Sequence, residues 1–174
     1  MKTKLTTFII VGFFVISNTY CQNQLNKSDT LTLLLNNSRT HNKKLFLVFG
    51  YQGCSWCRVF DKYHGDKAVN EILSKYFTIS KIDIYKTKTG ADLYKTYGKA
   101  GTPSWTIFDT KGEILVDSDN GKGKGNIGYP AEENELEYYV QALKKAVPNI
   151  SESECKILVD KLKDYRKRKK LNLL

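Results

Sequence analysis

The sequence predicts an α/β fold in which a mixed central β-sheet carries helices on both faces. The apolar run at 44–50 is typical of a strand that is buried on both sides. Helical and strand-like segments alternate after it, and a strand–helix–strand connection joins parallel strands. A hairpin pattern at 104–117 then adds two antiparallel strands. Both kinds of pairing therefore occur in one sheet, and each end of the chain adds a helix.

The other elements each have a local signal. Ser28 or Asp29 can cap a first helix, and Gly98 is placed to end a short one. The stretch 131–146 has acids in its first turn and lysines in its last, as the helix dipole favours. A capping box at 151–154 opens a final helix. In chain order we predict a helix from 28–29 onward, strand 44–50, helix 54–76 with a break near 64–65, strand 77–85, helix 89–98, strands 104–108 and 113–117, and helices 131–146 and 151–170.

Residues 119–130 are rich in glycine and polar side chains, so we expect a mobile loop there. The glycine spacing fits neither a P-loop nor a dinucleotide-binding fingerprint. The chain has no internal repeat and no proline-rich linker. We therefore expect one domain over 22–174, with its core at about 44–146 and a C-terminal helical extension at 150–170.

Residues 1–21 have the pattern of a secretory signal peptide. Two lysines precede an apolar run at 8–16, and polar residues follow it. The run is well short of the ~20 residues that span a bilayer. We expect a mature chain that begins near Gln22 and is exported to the periplasm or cell envelope. A lipid anchor on Cys21 is an alternative, although Tyr20 occupies a position where lipoprotein signals usually have a small residue, and a buried N-terminal strand is another.

The chain is clearly basic, with a formal net charge of +10. Loss of residues 1–21 would leave 26 bases and 18 acids, a charge of +8. Because the lysines are widely spread, we interpret them as a solvated surface and expect no nucleic-acid partner; an electrostatic preference for acidic partners or an anionic envelope is the alternative. The basic run at 166–170 is interpreted as a frayed, solvated helix end, with contact to phosphates or lipid headgroups as the alternative.

The cysteine count excludes a disulfide-rich scaffold. Without Cys21 three cysteines remain, and three cannot all pair within one chain. Cys54 and Cys57 form a close pair, which suits a redox motif in an oxidising compartment. Cys155 shares a helix face with apolar side chains, so we expect it to be a buried structural thiol.

The Cys54-x-x-Cys57 pair lies where a short turn leads from the buried strand into a helix. Amide groups at a helix start favour negative charge, and thiolate is the reactive form of cysteine. We expect Cys54 to be the more exposed thiol, with a pKa below ~8.5. Cys57, one turn further on, is close enough to form or attack a disulfide.

An inert disulfide and a metal clip are the alternatives for this pair. A tetrahedral zinc site needs four ligands, and the pair is accompanied only by Cys155, His41 and His64. We therefore predict no metal site. His64 is expected to face solvent at a helix end.

A second candidate feature lies about fifty residues after the cysteines. Pro103 stands directly before a strand, as proline must because it cannot donate to a ladder. A cis bond after Thr102 would turn the Thr102 backbone toward the cysteines, with its N–H and C=O free to pair with an extended peptide. Trp56, between the cysteines, is either a lid over them or a contact for client proteins.

Three motifs in order give the segment from about 44 to 146 a resemblance to the thioredoxin family. They are the strand followed by "CSWC", the second strand "KIDIY" with Asp83, and "YGKAGTPSWTIFDTKGEIL". Trp56 before the second cysteine is similar to the Cys-Pro-Trp-Cys subgroup. The resemblance implies a thiol–disulfide oxidoreductase with nucleophile Cys54, resolving Cys57, a redox-active disulfide between them and a cis Pro103. It implies no bound cofactor, and as partners client proteins and a protein that resets the redox state.

The sequence departs from this family at two positions. Gly53 stands where thioredoxins proper have tryptophan, and Val48 stands where they have a buried aspartate that helps to move the resolving thiol's proton. Either solvent or another group, such as Glu71 or Lys81, would take that proton. The rival interpretation is a non-catalytic binding module on the same scaffold, or a copper carrier. The direction of electron transfer does not follow from the sequence.

Overall fold

The structure is a computed structural model that describes residues 27–120 and 125–174. The expected signal peptide and Cys21 lie outside the described residues. Four strands and six helices follow one another in the described chain: α1 (Lys27–Thr40), β1 (Lys44–Gly50), α2 (Ser55–Gly65), α3 (Lys67–Tyr76), β2 (Phe77–Asp83), α4 (Lys88–Tyr97), β3 (Ser104–Phe108), β4 (Ile114–Asp117), α5 (Glu133–Ala146) and α6 (Glu152–Lys170).

The four strands form one mixed sheet in the order β2-β1-β3-β4. The β1 strand is parallel to β2 and antiparallel to β3, which in turn is antiparallel to β4. The predicted mixed α/β sheet is thus confirmed. The β2 strand stops at Asp83, two residues before the predicted end, because the Asp83 carboxylate accepts the backbone N–H groups of Tyr85 and Lys86 and turns the chain.

Both faces of the sheet are covered by helices, as predicted. Alternate side chains of β1 point to opposite faces. Leu45, Leu47 and Phe49 enter a smaller cluster with residues of α1 and α4. Phe46 and Val48 enter a larger one with residues of α2, α3, α5 and α6. All five side chains are buried, so β1 is the central strand on which the site is built.

The helical stretch 54–76 breaks at Asp66, just after the predicted position. The Asp66 carboxylate accepts the N–H groups of Ala68 and Val69 and so begins α3. His64 therefore remains inside α2, and the expectation that it faces solvent is wrong. Its side chain is 5% exposed, packed against the rings of Phe46 and Phe60.

Burial of the His64 ring lowers its pKa to about 3, and the positive charge of Lys81 adds to this effect. Neither ring nitrogen has a hydrogen-bond partner within the described chain. The imidazole is thus held neutral in an apolar setting, where protonation is disfavoured.

The final helix, α6, is fixed to the body of the protein by polar contacts. Its predicted capping box is present. Glu154 accepts hydrogen bonds from Lys75 at 2.8 Å and from the Tyr76 hydroxyl at 3.0 Å, both in α3. These bonds hold the pKa of Glu154 at about 2. Cys155 is a buried free thiol on the inner face of α6, as predicted.

Two segments, one expected to be a solvated helix end and the other a mobile loop, are packed in part. In the basic run at 166–170, Arg166 contacts the Ala131 carbonyl and the Glu132 carboxylate, so this end of α6 is held against the start of α5. In the predicted mobile loop, residues 127–130 are buried. No helix in the described part of the chain is both long and apolar enough to cross a membrane.

Candidate functional site

The site is built where β1 ends and α2 begins. Cys54 is the N-cap of α2, and its sulfur is bonded to that of Cys57 in a disulfide. The Cys57 backbone N–H points at Cys54 Sγ over 3.0 Å. Amide groups at a helix start have no partner within the helix, and here one of them is satisfied by sulfur. The same amide would stabilise a thiolate on Cys54 after reduction.

The two cysteines are almost equally shielded. Cys54 is 6% exposed and Cys57 is 7% exposed in the oxidised protein. The expectation that Cys54 is the more exposed residue is therefore wrong for this state. The disulfide ties Cys54 against its neighbour, and the chain around Thr102 covers it.

Thr102 and Pro103 lie against the cysteine pair. The Thr102–Pro103 bond is cis, as expected. The Thr102 carbonyl oxygen is 3.6 Å from Cys54 Sγ, an acceptor for the thiol once the disulfide is reduced. Pro103 is buried and Thr102 is partly exposed.

Asn126 and Gly128 support Pro103 and were missed by the sequence analysis. The Asn126 side-chain N–H donates to the Pro103 carbonyl over 2.9 Å, and its oxygen accepts the Gly128 N–H. Gly128 has a φ of +56°, and a Cβ there would lie 2.8 Å from the Pro103 carbonyl oxygen. Only glycine adopts this positive φ without strain and also leaves room for the Pro103 carbonyl oxygen. A polar glycine-rich stretch 23 residues away carries no signal for such a contact.

Trp56 is partly buried between the cysteines and the C-terminal helix. Its ring stacks on Tyr129 at 5.3 Å between ring centroids. The Lys169 ammonium lies 4.6 Å from the centroid of the same ring. Tyr129 is held in turn by its hydroxyl, which donates to the Leu162 carbonyl of α6 over 2.6 Å. Trp56 is thus placed by α6 as well as by α2.

Gly50, the last residue of β1, leaves room for the second cysteine. A Cβ at Gly50 would lie 3.0 Å from Cys57 Sγ. A side chain here would press directly on the Cys57 sulfur. In the sequence this glycine signals only the end of a strand.

A cavity of about 300 Å³ reaches Cys57 from the side of β2. Its lining includes Val48, Asp61 and Lys81. The Asp61 carboxylate is 2.7 Å from the Lys81 ammonium, and both side chains are about half exposed. Glu71, the other candidate named from the sequence, pairs with Lys67 on α3 and does not line this cavity.

Within residues 27–120 and 125–174, no group of three or more His, Cys, Asp or Glu side chains is placed to hold a metal ion.

A parallel pair and a hairpin in one four-stranded sheet, a disulfide at a helix start and a cis proline facing it give the chain a thioredoxin-like fold.

Comparison with known proteins gives weak similarities. No family model and no curated protein matches the chain. Among solved structures, a disulphide isomerase from Xylella fastidiosa is 22% identical, with a TM-score of 0.48, 61% of this chain covered and 83% of that one. A DsbH oxidoreductase is 17% identical, with a TM-score of 0.45 and coverage of 72% and 83%. A thioredoxin-fold protein from Helicobacter pylori is 22% identical, with a TM-score of 0.44 and coverage of 77% and 88%. The strand order and the site, rather than these similarities, define the fold.

Proposed function

We propose that this protein is an exported thiol–disulfide oxidoreductase that exchanges disulfides with other exported proteins. The observation that carries the proposal is the Cys54–Cys57 disulfide at the start of α2, with the Cys57 amide aimed at Cys54 Sγ. The signal-like pattern of residues 1–21 supports export.

The exchange proceeds in two balanced steps when the protein acts as a reductase. The Cys54 thiolate attacks one sulfur of a client disulfide, forms a mixed disulfide and releases the other client sulfur as a thiolate. Cys57 then loses its proton and attacks Cys54 Sγ, which frees the second client sulfur. The client gains two electrons, the protein is left with its Cys54–Cys57 disulfide, and a redox partner reduces it again. An oxidase runs the same steps in reverse.

Cys54 is assigned as the nucleophile because its sulfur accepts the helix amide. Thr102 and Pro103 are assigned to the client-binding surface, because the Thr102 carbonyl lies 3.6 Å from that sulfur. Trp56, partly exposed beside them, completes this surface.

The second step requires an acceptor for the Cys57 proton, and Val48 cannot supply one. Asp61 follows Cys57 by one helical turn and lines the cavity that reaches it. Lys81 holds the Asp61 carboxylate at 2.7 Å on the cavity wall. We assign Asp61 as the acceptor, acting across this cavity.

Replacement of Asp61 by asparagine should slow the resolution of mixed disulfides at pH 7 while the first attack by Cys54 keeps its rate. We expect roughly a 10-fold loss, less than the ~10²-fold or more of an enclosed general base, because solvent reaches the cavity. The rate should recover at higher pH.

Rapid-quench kinetics with a peptide disulfide separates the two steps. Glu71→Gln, which removes the same charge away from the cavity, is the control and should resolve normally. Equal resolution rates in wild type and Asp61→Asn would make solvent the acceptor.

The proposed function itself is tested by reduction of insulin with dithiothreitol, beside metal analysis of the purified protein. Catalysed precipitation of insulin chains by protein without bound metal is the expected result. Absence of catalysis together with stoichiometric copper would identify a copper carrier instead.

A further inference from the structure

A small basic pocket adjoins the candidate active site. Its volume is about 220 Å³, and its walls come from the first two turns of α2 and from the end of the C-terminal segment. Arg58 lines both this pocket and the cavity that reaches Cys57. The basic pocket and the cavity that reaches Cys57 therefore lie side by side near the disulfide. The pocket is lined by Ser55, Arg58, Val59, Lys62, Lys169, Asn172 and Leu174.

The lining of this pocket carries a net positive charge. Arg58, Lys62 and Lys169 contribute three positive charges, the terminal carboxylate of Leu174 offsets one of them, and no acidic side chain is among the lining residues. The neighbouring carboxylate of Asp61 is paired with Lys81 at 2.7 Å and lines the other cavity. Three cations around one concavity raise the local positive potential.

The position of the third cation is fixed rather than incidental. Lys169 is partly buried, with its ammonium 4.6 Å from the centre of the Trp56 ring. A cation over an indole ring is a favourable contact. The C-terminal helix thus places one charge of the pocket on Trp56, one of the two residues between the active-site cysteines.

We propose that this pocket binds an acidic side chain of the client, close in sequence to the client cysteine that Cys54 attacks. This inference rests on the proposed function and adds a preference among its substrates. The pocket contains Arg58, and its Lys169 lies over Trp56, so a client segment with a cysteine at Cys54 is expected to run beside it. A concave site walled by α2 and the C-terminal segment fits one carboxylate side chain better than it fits a flat layer of lipid headgroups.

The test uses two peptides of equal length that contain the same disulfide, one flanked by aspartates and one by lysines. At low ionic strength the wild-type protein should reduce the acidic peptide roughly 10-fold faster, in kcat/KM, than the basic one. The advantage should shrink at high salt, because screening weakens charges that solvent reaches. The triple variant Arg58→Gln, Lys62→Gln, Lys169→Gln should lose the preference.

A matched control carries Lys95→Gln, Lys145→Gln and Lys156→Gln. It removes the same charge from exposed positions that do not line the pocket, and it should keep the preference. The charge-conserving triple variant Arg58→Lys, Lys62→Arg, Lys169→Arg keeps all three positive charges in the pocket and should keep the preference. This separates the charge from simple loss of packing.

Peptide binding tests the pocket assignment independently of turnover. It is measured by fluorescence anisotropy with the labelled acidic peptide and the oxidised protein. If neither peptide is reduced but the acidic one binds and the triple variant does not bind it, the proposed function fails and the pocket assignment stands. Equal rates and equal binding for both peptides would overturn the pocket assignment alone. It is also overturned if the pocket variants lose sedimentation with phosphatidylglycerol vesicles while peptide selectivity is unchanged, because a membrane is then the partner.

Discussion

Replacement of Cys57 by serine should stop turnover and leave the protein covalently attached to its clients. Cys54 can still attack a client disulfide, but no second thiol is present to release the mixed disulfide. We expect catalysed insulin reduction to fall by roughly 10³-fold or more. In extracts from the native host, adducts should appear on non-reducing gels and disappear with reductant.

Cys54→Ser should lose turnover to the same extent and form almost no adducts. Its attacking sulfur is gone, and Cys57 is placed one turn inside α2. Cys155→Ser is the matched control, because this free thiol is buried in α6 away from the disulfide and should affect neither measurement. Adducts in Cys54→Ser but not in Cys57→Ser would reverse the two roles. Normal thiol exchange in both variants would make the pair structural.

The free energy of unfolding should fall by about 2 kcal/mol between pH 7 and pH 5, owing to His64. In the unfolded chain the imidazole takes up a proton near pH 6.5. In the folded protein burial lowers its pKa to about 3. The unfolded state therefore binds more protons throughout this window, so acid favours it. The pKa of Glu154, about 2 in the folded protein, affects stability mainly below pH 5, because an unperturbed Glu titrates at ~4.3.

His64→Leu should remove most of this pH dependence, since leucine fills a similar space among the aromatic rings and binds no proton. Urea unfolding at pH 7, 6 and 5 measures the effect. The chain has only one other histidine, the exposed His41, so His41→Leu serves as the control and should keep the wild-type slope. A slope that is unchanged in His64→Leu would show that another group titrates in this window.

The sequence predicted the fold well, because its signals were local. The apolar run of β1 and the span of β3 matched residue for residue, since a strand that is buried on both faces has no polar alternation to obscure its ends. The capping box of α6 was equally local. His64 was misplaced for a local reason too, since the following glycine indicated the end of a helix. The capping carboxylate of Asp66 moved that end by one residue and kept His64 in the core.

The supporting parts of the site depended on contacts between distant segments and left little trace in the sequence. Asn126 and Gly128 reach Pro103 from a stretch that looked like a solvated loop. Lys169 looked like one more lysine of a basic tail, and its position over Trp56 depends on how α6 packs. The ion pair of Asp61 with Lys81 was not predictable, because it depends on how β2 packs beside α2.

The packing of Trp56 has a practical consequence for spectroscopy. The chain contains two tryptophans. Trp56 lies next to the disulfide and stacks on Tyr129, whereas Trp105 is fully buried and donates its indole N–H to the Gly128 carbonyl. A disulfide quenches the emission of an adjacent indole, so reduction should brighten Trp56 while Trp105 continues to report only on unfolding. With Trp56→Phe as the blank, the intrinsic fluorescence of the protein separates its redox titration from its denaturation curve without any added label.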